Sequence, residues 1–455
     1  MSKKNEVVKK IGRYRWVIAT LLLFATTINY MDRQVISYLK EFFCSPVASG
    51  GFGWTNTDFA FITAFFTGFY AGMTIIAGWL IDKIGTKLGL ALSLIVWSIF
   101  GILNALAGSV IAVHVAIRSL FGVGEAGNFP ASIKTVAEWF PKKERALATG
   151  IFNSGSNLGA MVAALFVPWC MVIFGDQLGW KMAFVITGAL GFLWLIFWFI
   201  FYESPSKQKR LSKEEYDYIH SDDIVYTNQA DIDQDRAKVP WLKLLSYRQT
   251  WAVFVGKFMT DGIWWFYLFW LPDYLHKQFG MTKAEVMWPT FIVYGVAIFG
   301  SVFGGSISLI MMKKGMPVYK ARMTTMFIIA LFPLAVLSTQ YFGNVEHFGT
   351  YASSLAVAVI CIGAAAHQAW SANMFTTVSD MFPKKAIGSV TGIGAMAGGI
   401  GGVLVQLLVG HLTDLYVATP KIAYGIMFMV CALTYITTWC LMKLLVPSHK
   451  PITDL

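Results

Sequence analysis

Apolar stretches of bilayer-spanning length, about 20 residues each, recur along nearly the whole chain and are cut by short polar loops. They lie at 16–39, 58–80, 87–108, 110–139, 145–173, 180–202, 248–275, 286–312, 323–342, 349–381, 387–415 and 421–446. The pattern predicts an all-α membrane protein with 12 transmembrane helices. One long polar stretch, 203–247, interrupts the series with KQKR, SKEEYDY and the acidic run SDDIVYTNQADIDQD. It reads as a solvated connector carrying a short interfacial helix near 241–245. The chain therefore divides into a first six-helix bundle (1–202), a cytoplasmic linker (203–247) and a second six-helix bundle (248–455).

An internal repeat supports this division. EWFPKKERALATG at 138–150 matches DMFPKKAIGSVTG at 380–392, an offset of 242. Glu138 meets Asp380, Phe140 meets Phe382, Pro141 meets Pro383, and the paired lysines coincide. At the same offset Gly159 meets Gly401 and Glu125 meets His367, so both halves place a titratable group at related positions. Two equivalent bundles with a site between them predict a rocking transporter.

Composition agrees: 56% of 455 residues are hydrophobic, 13% are charged, and mean hydropathy is +0.59. The net charge of +11 would suit nucleic acid, but its placement points elsewhere. Of 36 Lys and Arg residues, 27 fall at the two termini and in alternate loops. That asymmetry orients helices in a membrane and puts both termini in the cytoplasm. The N-terminal Lys3, Lys4, Lys9, Lys10, Arg13 and Arg15 lead into an apolar run without a small-residue cleavage site, which reads as a retained first helix. The five cysteines form no CxxC, and neither a disulfide framework nor a metal site is indicated.

Charges inside the apolar runs carry the candidate chemistry. Asp32 and Arg33 sit side by side in the first helix, and Arg118 and Glu125 in the fourth. A charge at bilayer depth survives only when it faces a cavity or a partner. Arg33 and Arg118 are the candidate anion ligands, because a guanidinium fork pairs bidentately with a carboxylate. The competing reading is structural pairing with Asp32 or Glu125. Those two acids are the candidate proton carriers, since burial and a neighbouring guanidinium pull a carboxylate's proton affinity in opposite directions.

In the second half His367, Gln368, Trp370, Ser371 and Asn373 crowd one segment of the tenth helix. They could read sugar hydroxyls, or pack and bridge helices. Trp264 and Trp265 could stack on a pyranose ring or belong to an aromatic belt. Asn153, Ser156 and Asn157 share a helix face and either line a cavity or bridge helices. Lys257 with Asp261, and Lys134 with Glu138, stand at the i, i+4 spacing of local ion pairs.

GWLIDKIGTK (78–87) resembles the major facilitator superfamily's loop after helix 2, in Gly78, Leu80, Asp82, Lys83, Gly85 and Lys87. Thr86 departs from the pattern's basic preference. Asp82, Lys83 and Lys87 are thereby candidate gating residues that form cytoplasmic ion pairs. The second-half counterpart, GSISLIMMKKG (305–315), lacks the aspartate. Arg118 to Glu125 resembles the superfamily's fourth-helix R-x-x-x-G-x-G pattern. NYMDR (29–33), RSLFGVGEAGNFPA (118–131) and FNSGSNLGA (152–160) resemble the anion:cation symporter family, and they add Tyr30 to the substrate-binding candidates. KFMTDGIWWFYLFWLPDYL (257–275) and AHQAWSANMFTTVSDMFPKKAIGSVTG (366–392) are similar to bacterial hexuronate transporters.

The resemblance implies a major facilitator fold in the bacterial inner membrane and proton-coupled import of a sugar-acid anion. A hexuronate such as galacturonate or glucuronate is the leading substrate, with galactonate or glucarate the alternative. The partners are then a small organic anion, protons and the lipid bilayer, with no nucleic acid and no cofactor, and the protein works as a monomer. A membrane enzyme is disfavoured, because no nucleophile motif, metal-ligand cluster or P-loop stands outside the membrane.

Overall fold

The computed structural model describes residues 12–221, 241–448 and 452. Lys3, Lys4, Lys9 and Lys10, and the acidic run from Asp222 on, lie outside the described residues. Among the described residues every regular element is helical: α1 (Tyr14–Cys44), α2 (Asn56–Ile84), α3 (Thr86–Leu103), α4 (Ile111–Glu125), α5 (Asn128–Trp139), α6 (Lys142–Phe201), α7 (Lys213–Ile219) and α8 (Trp241–Leu244). The second half follows with α9 (Arg248–Phe279), α10 (Met287–Lys313), α11 (Val318–Leu331), α12 (Thr339–Phe342), α13 (Val345–Phe348), α14 (Ala352–Met381), α15 (Lys384–Leu415) and α16 (Pro420–Leu445). By length and composition eight stretches of the described residues qualify as membrane spans. The exceptions are α1, α4–α5 and α9, the helices that carry Asp32, Arg33, Arg118, Glu125, Lys257 and Asp261.

Two predicted spans, the fourth and the ninth, are irregular in the structure. The fourth span loosens at Ala126–Gly127, between α4 and α5, where both residues keep helical φ and ψ. Pro130 has no N–H to donate and its ring crowds the preceding turn, so the helical hydrogen-bond ladder is interrupted there. The fifth and sixth spans are the two helices of α6, which part at Gly175, whose φ of 70° and ψ of 165° suit glycine. The ninth span passes through a 3-10 segment, Phe332–Ser338, that contains Pro333, before it ends in α12.

The repeat is visible in the backbone. Phe140 and Phe382 are both extended at the ends of their helices, and Pro141 and Pro383 both start the next helix with φ near −64°. Beyond this joint, Gly159 packs α6 on α1: a Cβ there would lie 2.3 Å from the Thr27 carbonyl oxygen. Its equivalent, Gly401, packs α15 on α9, where a Cβ would lie 1.8 Å from the Phe258 carbonyl oxygen. Small residues let helix backbones approach in a membrane, where packing rather than the hydrophobic effect holds helices together. Gly159→Val is expected to force these helices apart at a cost of about 1–3 kcal/mol, read as a lower melting temperature in detergent.

The two bundles meet through α1 on α9, α2 on α15 and α6 on α10. Polar ties across this seam gather at the end where α1 finishes: Lys40 to Asp273, Lys277 to Asn56, Asn56 to Asp414, and Lys283 to Asp176. At the opposite end the ion pairs among the described residues stay within a half, as with Lys134–Asp82 and Arg322–Asp380. There α7 of the linker docks on the first bundle. The buried Glu215 carboxylate accepts the backbone N–H groups of Tyr14 and Arg15, the free donors that open α1.

Candidate functional site

α1 and α4 bring Asp32, Arg33, Arg118 and Glu125 into one buried cluster, each no more than 2% exposed. Gly122 and Gly124 make this possible. A Cβ at the first would lie 2.7 Å from the Phe66 carbonyl oxygen, and at the second 2.5 Å from the Trp97 nitrogen, so α4 lies hard against α2 and α3. Arg33 donates from Nε to Glu125 Oε2 at 2.8 Å, and its Nη2 stands 2.8 Å from the same oxygen. The guanidinium is also walled by aromatic rings: Tyr30 at 4.4 Å, Tyr70 at 4.6 Å, Trp265 at 5.2 Å and Phe66 at 5.5 Å. Trp265 comes from α9 of the other bundle, so this cation sits on the seam. Ring faces stabilise a desolvated cation.

Arg118 is held differently. Among the described residues it donates from Nη2 to the Arg33 carbonyl at 3.4 Å, and the rings of Phe121, Phe184 and Phe66 surround it. Neither oxygen of Asp32 and not Oε1 of Glu125 has a hydrogen-bond partner among the described residues. Buried polar atoms are normally satisfied. The cluster therefore holds one committed cation, one uncommitted cation, and carboxylate oxygens able to accept a proton. Tyr70 joins this site although the sequence reading did not single it out, and Gln34, next to Arg33 in the chain, has its side-chain amide buried without a partner among the described residues.

The second-half candidates form a separate group. His367 Nδ1 is 2.8 Å from the Tyr435 hydroxyl, and Trp264 stacks on the imidazole at 5.0 Å. Trp370 also packs its ring edge-on to Tyr435, with its indole nitrogen buried and unpartnered. Asn373 donates to the carbonyls of Gly304 and Ala369, each at 2.9 Å. Its amide nitrogen thus bridges α14 to α10. Gln368 is half-buried, and Asn157 is buried with its amide oxygen unpartnered. Lys257 and Asp261 pair at 2.8 Å, as their spacing predicts.

Around the loop after α2, Asp82 pairs with Lys134 of α5 at 2.8 Å. This corrects the expected Lys134–Glu138 pair: Glu138 instead accepts from Thr86 at 2.8 Å and from Tyr202 at 3.0 Å. Lys83 lies over the Trp79 ring, and Lys87 reaches Glu203 at the start of the linker, 2.7 Å away. That hydrogen bond holds the Glu203 carboxyl below the usual carboxylate range. The Asp380–Arg322 pair at 3.0 Å occupies the place in the second half that Glu138–Thr86 has in the first.

The sequence model of the Major Facilitator Superfamily matches residues 22–406. The chain is 30% identical over 418 residues to the hexuronate transporter of Escherichia coli (strain K12), covering 91% of each chain. It is 32% identical over 304 residues to the galacturonate transporter of Dickeya chrysanthemi, covering 67% of this chain and 84% of that one. Its structure is similar to that of a bacterial homologue of the human lysosomal transporter Spinster in an inward-facing, occupied conformation. That likeness has a TM-score of 0.70 at 19% identity and covers 96% and 97% of the two chains. Twelve spans in two repeated bundles, a charged cluster on their seam and a family match over most of the length agree: the chain is a membrane transporter, not an enzyme, and belongs to the major facilitator superfamily.

Proposed function

We propose that this transporter imports a sugar-acid monoanion, a hexuronate such as galacturonate or glucuronate, together with protons, by alternating access in a bacterial inner membrane. The observation that carries the reading is the buried Arg33–Glu125 ion pair beside the uncommitted Arg118 and Asp32. An incoming carboxylate and Glu125 compete for the same guanidinium. Whichever loses is a buried charge without a partner, which costs several kcal/mol, so a proton must neutralise it. Substrate and proton are thereby linked through Arg33. The sugar-acid relatives support the substrate class.

With both termini cytoplasmic, the seam ties at Lys40, Asp273 and Asp414 close the periplasmic end. The Trp264, His367 and Trp370 group of the second bundle would then read the sugar ring, with Arg118 and Arg33 holding the carboxylate. The division into bundles at 202 and 248 places one set of contacts on each side of the substrate.

The test is uptake by proteoliposomes of labelled sugar acids with and without an imposed pH gradient. Accumulation of galacturonate or glucuronate against its gradient, driven by acid outside, supports the reading. Equal competition by glucose and glucuronate would remove the carboxylate from recognition. Asp82→Asn frees Lys134 far from the arginines, so it is expected to slow transport while leaving the equilibrium Kd for substrate unchanged. A large loss of affinity would tie that loop to the site instead.

A further inference from the structure

At the periplasmic end of the seam stands a second buried charge cluster, the closure built around Lys40 and Asp273. Lys40 Nζ is 2.7 Å from Asp273 Oδ1 on the other bundle, with side chains only 1% and 3% exposed. Lys277 Nζ is 3.1 Å from Asp273 Oδ2. Both ammonium groups also donate to Asn56 Oδ1, at 2.6 and 2.8 Å. The Tyr424 hydroxyl donates to Asp273 as well. The nearby Asp414 carboxylate is already engaged by the backbone amides of Asn56 and Thr57 that open α2, at 2.9 and 2.6 Å. One carboxylate, Asp273, therefore serves two lysines.

The partition of these groups between bundles matters. Asp273, Lys277 and Tyr424 belong to the second half, Lys40 and Asn56 to the first. When the bundles part, Asp273 keeps Lys277 and Tyr424, whereas among the described residues of its own half Lys40 keeps the Asn56 amide oxygen and the face of Phe59 at 5.5 Å. Lys40 also shares one face of α1 with Ser37 and Arg33, at i, i+3 and i, i+7 spacing. Ser37 donates across the seam to the Leu268 carbonyl at 2.8 Å, and Arg33 meets Trp265. Seven residues of helix put Arg33 about 10 Å further in.

We propose that Asp273 locks the periplasmic end by occupying Lys40, and that Lys40, once released, is the entry-side ligand for the carboxylate of the incoming anion. Asp273 stands on this lysine where a substrate carboxylate does in the open state. The same cation closes the gate and receives the cargo before it moves along α1 to Arg33. This rests on the reading of the chain as an anion transporter that opens alternately at its two ends.

The experiment places a reporter on the seam by Ser37→Cys and follows its labelling by a membrane-impermeant maleimide, read at position 37 by mass spectrometry. External KM for galacturonate is measured alongside. Asp273→Asn is expected to raise the labelling rate about tenfold, as a seam that has lost its buried pair opens more often. Asp273→Glu, which keeps the charge but moves it by one methylene, gives an intermediate rate and serves if the asparagine variant does not fold. Lys40→Gln also raises labelling, but it alone raises external KM about tenfold, the loss of one charge-assisted contact, and Lys40→Arg restores KM. Unchanged labelling in both Asp273 variants overturns the lock. Equal KM changes in Lys40→Gln and Asp273→Asn overturn the entry site. If the parent takes up no sugar acid yet labelling rises in the Asp273 variants, the sugar-acid assignment falls and the lock stands.

Discussion

Arg118→Gln is expected to abolish sugar-acid uptake by removing substrate affinity. The two buried arginines are not equivalent. Arg33 is compensated by Glu125 and boxed by four rings, whereas among the described residues Arg118 makes no salt bridge, donates to one carbonyl at 3.4 Å and is walled by phenylalanines. A carboxylate arriving at the cluster gains most from the cation without a salt bridge, since Asp32 and Glu125 act on Arg118 only through space. Losing a buried charge-assisted contact costs about 2–5 kcal/mol, which is a rise in Kd of roughly thirtyfold to several thousandfold. Arg118→Lys keeps the charge but not the planar fork, so it is also expected to bind weakly. Equilibrium binding of galacturonate to purified variants measures this. An unchanged Kd in Arg118→Gln would transfer the carboxylate site to Arg33 or Lys257.

The second large effect is expected from Glu125→Gln. The substitution removes the carboxylate that compensates Arg33 and leaves a guanidinium with aromatic faces but no anion. Breaking a buried pair by deleting one partner costs about 3–5 kcal/mol, so the variant should melt at a lower temperature than its parent. It should also lose accumulation driven by a proton gradient while retaining exchange of external for internal substrate, because exchange needs no net proton movement. Asp32→Asn is the companion measurement. Asp32 has no hydrogen-bond partner among the described residues, so its loss should cost less stability than that of Glu125. If both variants still concentrate substrate, neither acid carries the coupled proton.

Sequence and structure part company where a charge has more than one partner in reach. Lys257–Asp261 and Lys134–Glu138 have identical spacing, yet only the first pair forms. Lys134 instead reaches Asp82, 52 residues away, and Arg33 reaches Glu125, 92 residues away. Asn373 reads as a hydroxyl ligand by composition; its amide nitrogen is taken by backbone carbonyls, while its buried amide oxygen has no partner among the described residues. Lys40 falls just past the predicted first span, and the structure carries α1 on to Cys44 and buries it.

The sequence by itself determined the helices, their repetition in two halves, and the presence of two acids and two arginines at membrane depth. Hydrophobicity over a span and recurrence at a fixed offset are properties of the chain alone, and a buried charge is visible wherever it interrupts an apolar run. Only the tertiary structure decided which acid answers which cation, that Trp265 and Asp273 of the second bundle close around Arg33 and Lys40 of the first, and which end of the seam is shut. Those pairings depend on how helices far apart in sequence are set against one another. Glycine contacts such as Gly122 on Phe66 and Gly159 on Thr27 set that packing to within a fraction of an ångström, below what helical spacing can specify.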